Sequence, residues 1–274
     1  MTHNRRPHAF TLIELLVVLS IISMLMSIML PSLRRAKEQA RQVVCLSNVR
    51  QFITAWSTYA MEYNERICSS YTHLNQPNPW DDGHVPGNRF NNWVADGPGV
   101  GFNPVCNTEQ ALRDGVLFDF VQTVDLYRCP SDHRRLVRSY SIAHAMGCPH
   151  NYEGERTYTT SLEVRSPSER MVFVDARAGT TRGPDGTVGH LGCFTPVNTV
   201  SDEWLGGAVQ LSARHDGQCN MAFADLHVDR WRWRDPRTVD YALGNMGFSE
   251  FQAASHENID LPRLKEILRP ATFR

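Results

Sequence analysis

Residues 10–30 read FTLIELLVVLSIISMLMSIML, a run of twenty-one residues with a single charge, Glu14, at its fifth position. At about 1.5 Å of rise per residue the run spans about 30 Å as a helix, the thickness of a bilayer core. A carboxylate at membrane depth costs about 2.5–3.5 kcal/mol on insertion scales, so a partner or a function normally keeps it there. The run is therefore expected to be a membrane helix whose acid has something to pair with.

The nine residues ahead of it, MTHNRRPHA, are too few and too polar for the apolar region of an ordinary secretory signal. Basic residues do not decide orientation: Arg5 and Arg6 precede the run, and Arg34, Arg35, Lys37 and Arg41 follow it. Ala9 followed by Phe-Thr-Leu-Ile-Glu-Leu resembles the prepilin signal of type IV pilins and type II secretion pseudopilins, whose usual residue before the cut is Gly. The resemblance implies a leader at 1–9, cleavage between Ala9 and Phe10, and methylation of the new amino terminus at Phe10. It also implies a single-pass inner-membrane protein with a periplasmic head, and a Glu14 that meets the freed terminus of an adjacent subunit. The alternative reading of Glu14 is an acid near the end of a simple anchor, reaching toward water.

Pro31 ends the apolar run and predicts a kink or interruption there. Beyond it Leu33, Ala36, Ala40, Val43, Leu46, Val49, Ile53, Trp56, Ala60 and Tyr63 recur at spacings of three and four, one face of an amphipathic helix over 31–64. Arg34, Lys37, Glu38, Arg41, Asn48 and Arg50 fall on the other face. Trp56 and Tyr59 are expected in the core. Residues 65–274 are expected to form the head, with segments 136–142, 170–175, 207–213, 220–224 and 227–233 as strands. The predicted class is α+β and pilin-like, a long amino-terminal helix packed on a mainly antiparallel sheet. Residues 71–107 read as consecutive turns in an elaborated loop, with Trp80, Phe90 and Trp93 expected to pin it to the sheet or, alternatively, to present a contact surface.

A net charge of −1, with 42% hydrophobic and 21% charged residues, is ordinary for a globular head and offers no basic surplus for nucleic acid. Four further segments, CLSNVRQ at 45–51, YRCPSD at 127–132, SYSIA at 139–143 and RHDGQCNMAFADLHVD at 214–229, resemble bacterial prepilin-type proteins with a carboxy-terminal H-x9-DG signature. His215 is followed after nine residues by Asp225, with Leu226 in place of the Gly. Within the region 207–233, AFADLHVDRW reads as a hairpin turning at Asp225 and Leu226. Because Leu tolerates positive φ badly, the turn should differ from an Asp-Gly one. A hydrogen bond from His215 to Asp225 would staple the hairpin; alternatively His215, Asp225, His227 and Asp229, with Asp216 beside them, would hold a transition metal.

Seven cysteines suit a compartment outside the inner membrane, and none falls in a CxxC pair, which gives no support to a zinc ribbon. Cys45 and Cys129 lie in two of the four segments shared with the H-x9-DG proteins, so the resemblance implies a disulfide between them. No HExxH, Gly-rich phosphate loop or GxSxG turn is present. The expected function is a non-enzymatic subunit without a cofactor, processed by a prepilin peptidase. It would assemble with other pilin or pseudopilin subunits on a pilus or secretion platform. Two other classes stay open: an unassembled anchor displaying a glycan- or metal-binding head, and a membrane-tethered hydrolase using His215 and nearby acids.

Overall fold

A computed structural model describes residues 11–70, 92–93, 108–133, 137–148, 157–176, 193–194, 211–253 and 257–269. The chain divides into two units, Met1–Arg41 and Gln42–Arg274. Helix α1, Leu12–Glu62, contributes to both and is continuous through Pro31. Pro31 lacks an N–H, so the carbonyl of Ser27 goes without its donor, and the helix tolerates that single loss. In the first unit every described residue up to Lys37 is exposed.

In the second unit α1 buries Gln42, Cys45, Asn48, Val49, Phe52, Ile53, Ala55, Trp56, Tyr59 and Ala60. This stripe differs from the one read by periodicity. Leu33 and Val43 are each 65% exposed, and Asn48, assigned to the polar face, is buried. Its amide donates to the Arg128 carbonyl at 3.3 Å and approaches the Tyr140 hydroxyl at 3.4 Å. A polar side chain enters a core only when such partners are waiting.

Short helices α2 (Glu109–Asp114) and α3 (Phe118–Val121) lead to a five-stranded sheet of β1 (Tyr140–Ala143), β2 (Met171–Asp175), β3 (Cys193–Phe194), β4 (Gln218–Phe223) and β5 (Val228–Arg232). The order is β3-β1-β2-β4-β5, antiparallel at every pairing except the parallel β1 and β3. The α+β, pilin-like arrangement is therefore as the sequence leads one to expect. Phe52 of α1 stacks on Phe173 of β2 at 5.5 Å and meets Tyr127 and Tyr140 at 4.8 and 5.6 Å. Trp93, 6.2 Å from Tyr127, closes this cluster as one of the loop's pins; Trp80 and Phe90 lie outside the described residues, as does most of 71–107.

The strands differ in part from the segments expected. Strand β2 is buried at all five residues, Asp175 included, because a central strand is covered on both faces. Residues 211–213 are not strand, and 207–210 lie outside the described residues. Strand β3, two residues long, offers no period to read.

After β5 come α4 (Pro236–Leu243), α5 (Phe248–Ala253) and α6 (Asp260–Leu268). Asp235 caps α4, accepting from the Arg237 N–H at 3.0 Å, and buried Asp260 accepts from the N–H groups of Arg234 and Asp235. These carboxylates satisfy backbone donors that a helix start otherwise leaves orphaned.

The β4–β5 hairpin turns where the sequence places it. Phe223 and His227 close it, with N–H to O at 3.0 Å, and the Leu226 N–H returns to the Phe223 carbonyl at 2.9 Å. Of the two turn residues only Leu226 has positive φ, +73°, the position that a three-residue hairpin normally gives to Gly. A left-handed L-residue costs about 1–2 kcal/mol, partly offset by the greater entropy Gly loses on folding. Leu226→Gly should therefore stabilise the head by about 0.5–1 kcal/mol, read as a raised urea midpoint at unchanged slope.

Candidate functional site

The first candidate site is the start of α1. The Thr11 hydroxyl oxygen accepts from the Glu14 N–H at 3.2 Å, while Glu14 Oε2 accepts from the Thr11 N–H at 2.9 Å and the Thr11 hydroxyl at 2.8 Å. This reciprocal pair is a capping box, with Thr11 at the N-cap and Glu14 three residues on. It ties the carboxylate to a helix terminus whose N–H dipoles favour negative charge. Behind it the side chains from Leu12 (79% exposed) to Leu30 (53%) stand out from the helix. An apolar surface this continuous calls for lipid or neighbouring helices. Ala9 and Phe10 lie outside the described residues.

The second lies inside the head, where four chain segments meet. Cys45 comes from α1, Cys129 from the turn after the short helix Asp125–Tyr127, Asp175 from the end of β2, and His215 from the turn before β4. Their donor atoms all lie within 4.8 Å of one another, and all four residues are buried. Cys129 Sγ is 3.3 Å from His215 Nε2, and that nitrogen is 3.5 Å from Asp175 Oδ2. The Tyr140 hydroxyl donates to Cys45 Sγ at 3.3 Å. Arg214 grips the other oxygen of Asp175 and pairs with buried Asp132 at 2.9 Å, while donating to the Ala176 carbonyl at 2.8 Å.

The electrostatics follow from this packing. Burial pushes the Cys45 thiol up, whereas the hydrogen bond from Cys45, helped by His215 and Arg214, draws Cys129 down. Of the two sulfurs, Cys129 is thus the one whose surroundings favour the charged form. Burial lifts Asp175 to about 6 although the Arg214 guanidinium pulls the other way.

The metal-ligand set read from sequence does not assemble. His215 sits with Cys45, Cys129 and Asp175, so it does not staple the hairpin, and Asp225 instead pairs with His227 at 2.5 Å on the exposed hairpin. The His227 ring stacks on Phe223 at 4.3 Å, and Asp229 accepts from the Arg230 N–H. The local cause is a second turn: Asp216 and Gly217 both have positive φ, +56° and +75°, and the His215 N–H reaches the Gln218 carbonyl at 3.4 Å. An Asp-Gly pair is the sequence signal for such a turn, and at 216–217 it turns His215 inward and leaves Asp216 exposed.

Residues 4–30 match the family described as the prokaryotic N-terminal methylation motif. That match supports a prepilin-type protein. No curated protein and no solved structure matches the chain, and the match stops short of the H-x9-D segment of this prepilin-type chain. Its first helix is long and apolar enough to cross a membrane, and its place near the amino terminus fits an inner-membrane anchor.

Sequence reading also misses a second buried group in the prepilin-type head. Cys193 Sγ lies 3.6 Å from Cys148 Sγ and 3.5 Å from His144 Nδ1. No disulfide joins Cys45 to Cys129. Neither Asp175, Arg214 nor His144 carries a motif that would single it out; only strand pairing brings them into place.

Proposed function

We propose that this chain is a structural subunit, not an enzyme, cleaved between Ala9 and Phe10 by a prepilin peptidase and assembled into a type IV pilus or a type II secretion pseudopilus. The carrying observation is the start of α1, where Glu14 is held at the end of a long helix whose apolar surface has no cover of its own. In the membrane, lipid covers that surface; in the filament, the same helices of neighbouring copies do, as an assembly platform draws each subunit out of the inner membrane. A repeated head-to-tail interface of this kind builds filaments rather than closed rings. The head then faces the periplasm or the outside and carries specificity.

The amino-terminal residue of the mature protein tests this reading. In a host with a prepilin peptidase, intact-mass and terminal sequencing should find N-methylated Phe10. An intact Met1 in that host would overturn it. A methylated Phe10 on a chain that never cofractionates with filaments would instead favour a processed anchor displaying a binding head.

A further inference from the structure

Cys45, Cys129, Asp175 and His215 supply two sulfurs, one imidazole nitrogen and one carboxylate oxygen, converging from four separate segments. We propose that they form a closed tetrahedral site for a structural zinc ion. The geometry supports a small ion. With metal–ligand lengths of about 2.0–2.3 Å, the edges of a zinc tetrahedron are about 3.3–3.8 Å. Two of the six donor separations, 3.3 Å from Cys129 Sγ to His215 Nε2 and 3.5 Å from His215 Nε2 to Asp175 Oδ2, fall in that range, and the others lie within 4.8 Å.

The donor set selects the metal. Two thiolates are wrong for magnesium or calcium, which take oxygen ligands. Imidazole and carboxylate beside them suit zinc better than copper(I). Four protein ligands leave no open position for water or substrate, so the ion is structural rather than catalytic.

The surroundings are those of an outer shell. The Tyr140 hydroxyl donates to Cys45 Sγ. Ser212 Oγ reaches Asp175 Oδ2 at 3.3 Å, and Arg214 holds the opposite carboxylate oxygen. Such partners orient ligands and tune their basicity. Three anionic ligands against a divalent ion leave a surplus negative charge, and Arg214 stands next to it. Cys129 also borders a surface groove with Val44, Asn48 and Arg128.

A Cys45–Cys129 disulfide is the competing use of the same two sulfurs. It would account for two of the four residues and leave unexplained why a buried His and a buried Asp converge on the same point. The ion accounts for all four, and it clips α1 to β2 and to the turn before β4 within the head. Each ligand comes from a different segment, so binding would stabilise the head by cross-linking it.

The test uses the full-length chain, extracted in mild detergent and purified without a histidine tag or chelator. Elemental analysis should find about one zinc per chain from this site. Cys45→Ser and His215→Ala should each lose it. Cys193→Ser, in the separate group with His144 and Cys148, should retain it and serves as the control.

Two measurements on the unmutated chain keep the proposal testable if the variants misfold. Cobalt replacing zinc should give the visible bands of a tetrahedral ion with a sulfur-to-metal charge-transfer band. Maleimide labelling of Cys45 and Cys129 should rise on adding a chelator. The proposal is overturned by a chain that takes up neither zinc nor cobalt, by peptide mapping of a Cys45–Cys129 disulfide, or by zinc that survives Cys45→Ser and disappears with Cys193→Ser. It does not depend on filament assembly, since zinc content and the amino-terminal residue are read separately.

Discussion

Glu14→Gln should leave the start of α1 intact and still remove the chain from filaments. The carboxylate has two separable roles. Locally it accepts from the Thr11 N–H and hydroxyl, which a glutamine carbonyl does equally well, since a capping box takes Glu or Gln at this position. Between subunits the proposed partner is the charged amino terminus of a neighbouring Phe10, and that attraction needs the negative charge. Breaking a buried ion pair by removing one partner costs about 3–5 kcal/mol. Incorporation should therefore fall by at least about a hundredfold in competition with unmutated chain.

Glu14→Leu should fail as well, with about 1 kcal/mol of capping lost in addition. Both variants should remain in the membrane fraction with a folded head. The readout is the ratio of variant to unmutated subunit in sheared or purified filaments. Normal incorporation of Glu14→Gln beside failure of Glu14→Leu would mean that the cap, not the charge, matters. Normal incorporation of both would mean an acid that merely sits at the interface.

Arg214→Met should cost the head about 3–5 kcal/mol, a large share of the roughly 5–15 kcal/mol that a domain has in hand. Arg214 is paired with two acids that have almost no contact with water, Asp132 at 3% exposure and Asp175 at 0%. It also donates to the Ser139 and Ala176 carbonyls. Methionine keeps most of the volume and none of the hydrogen bonds, leaving two buried carboxylates without their cation.

Arg214→Lys should lie between, because one ammonium cannot span both acids as the planar guanidinium fork does. Combining Arg214→Met with Asp132→Asn should recover part of the loss, the mark of direct coupling. Urea unfolding of the detergent-solubilised chain, followed by the fluorescence of buried Trp56 and Trp93, measures all three. A loss below about 1 kcal/mol for Arg214→Met would show that the two acids do not depend on it.

Much of the first helix could be read directly. Length, apolarity and the spacing of Thr11 to Glu14 are local properties, and the capping box joins residues three apart on one helix turn. Periodicity located the buried stripe of α1 from Val49 onward but extended it too far toward Leu33, because a helix can carry apolar residues on a face that nothing in its own chain covers. The hairpin at 224–227 was legible from its turn residues. The Asp-Gly pair at 216–217 is an equally local turn signal, but the neighbours that it gives His215 come from distant segments, which the spacing to Asp225 does not encode.

The amino-acid sequence by itself therefore determined a long apolar helix near the amino terminus carrying one acid, and an α+β head after it. Those features depend on residues close together along the chain, where helix geometry alone sets who meets whom. Only the tertiary structure decided that Cys45, Cys129, Asp175 and His215 share one buried point. They are separated by up to 170 residues, and their meeting depends on the packing of α1 and the register of β2 against β4, which no local pattern encodes.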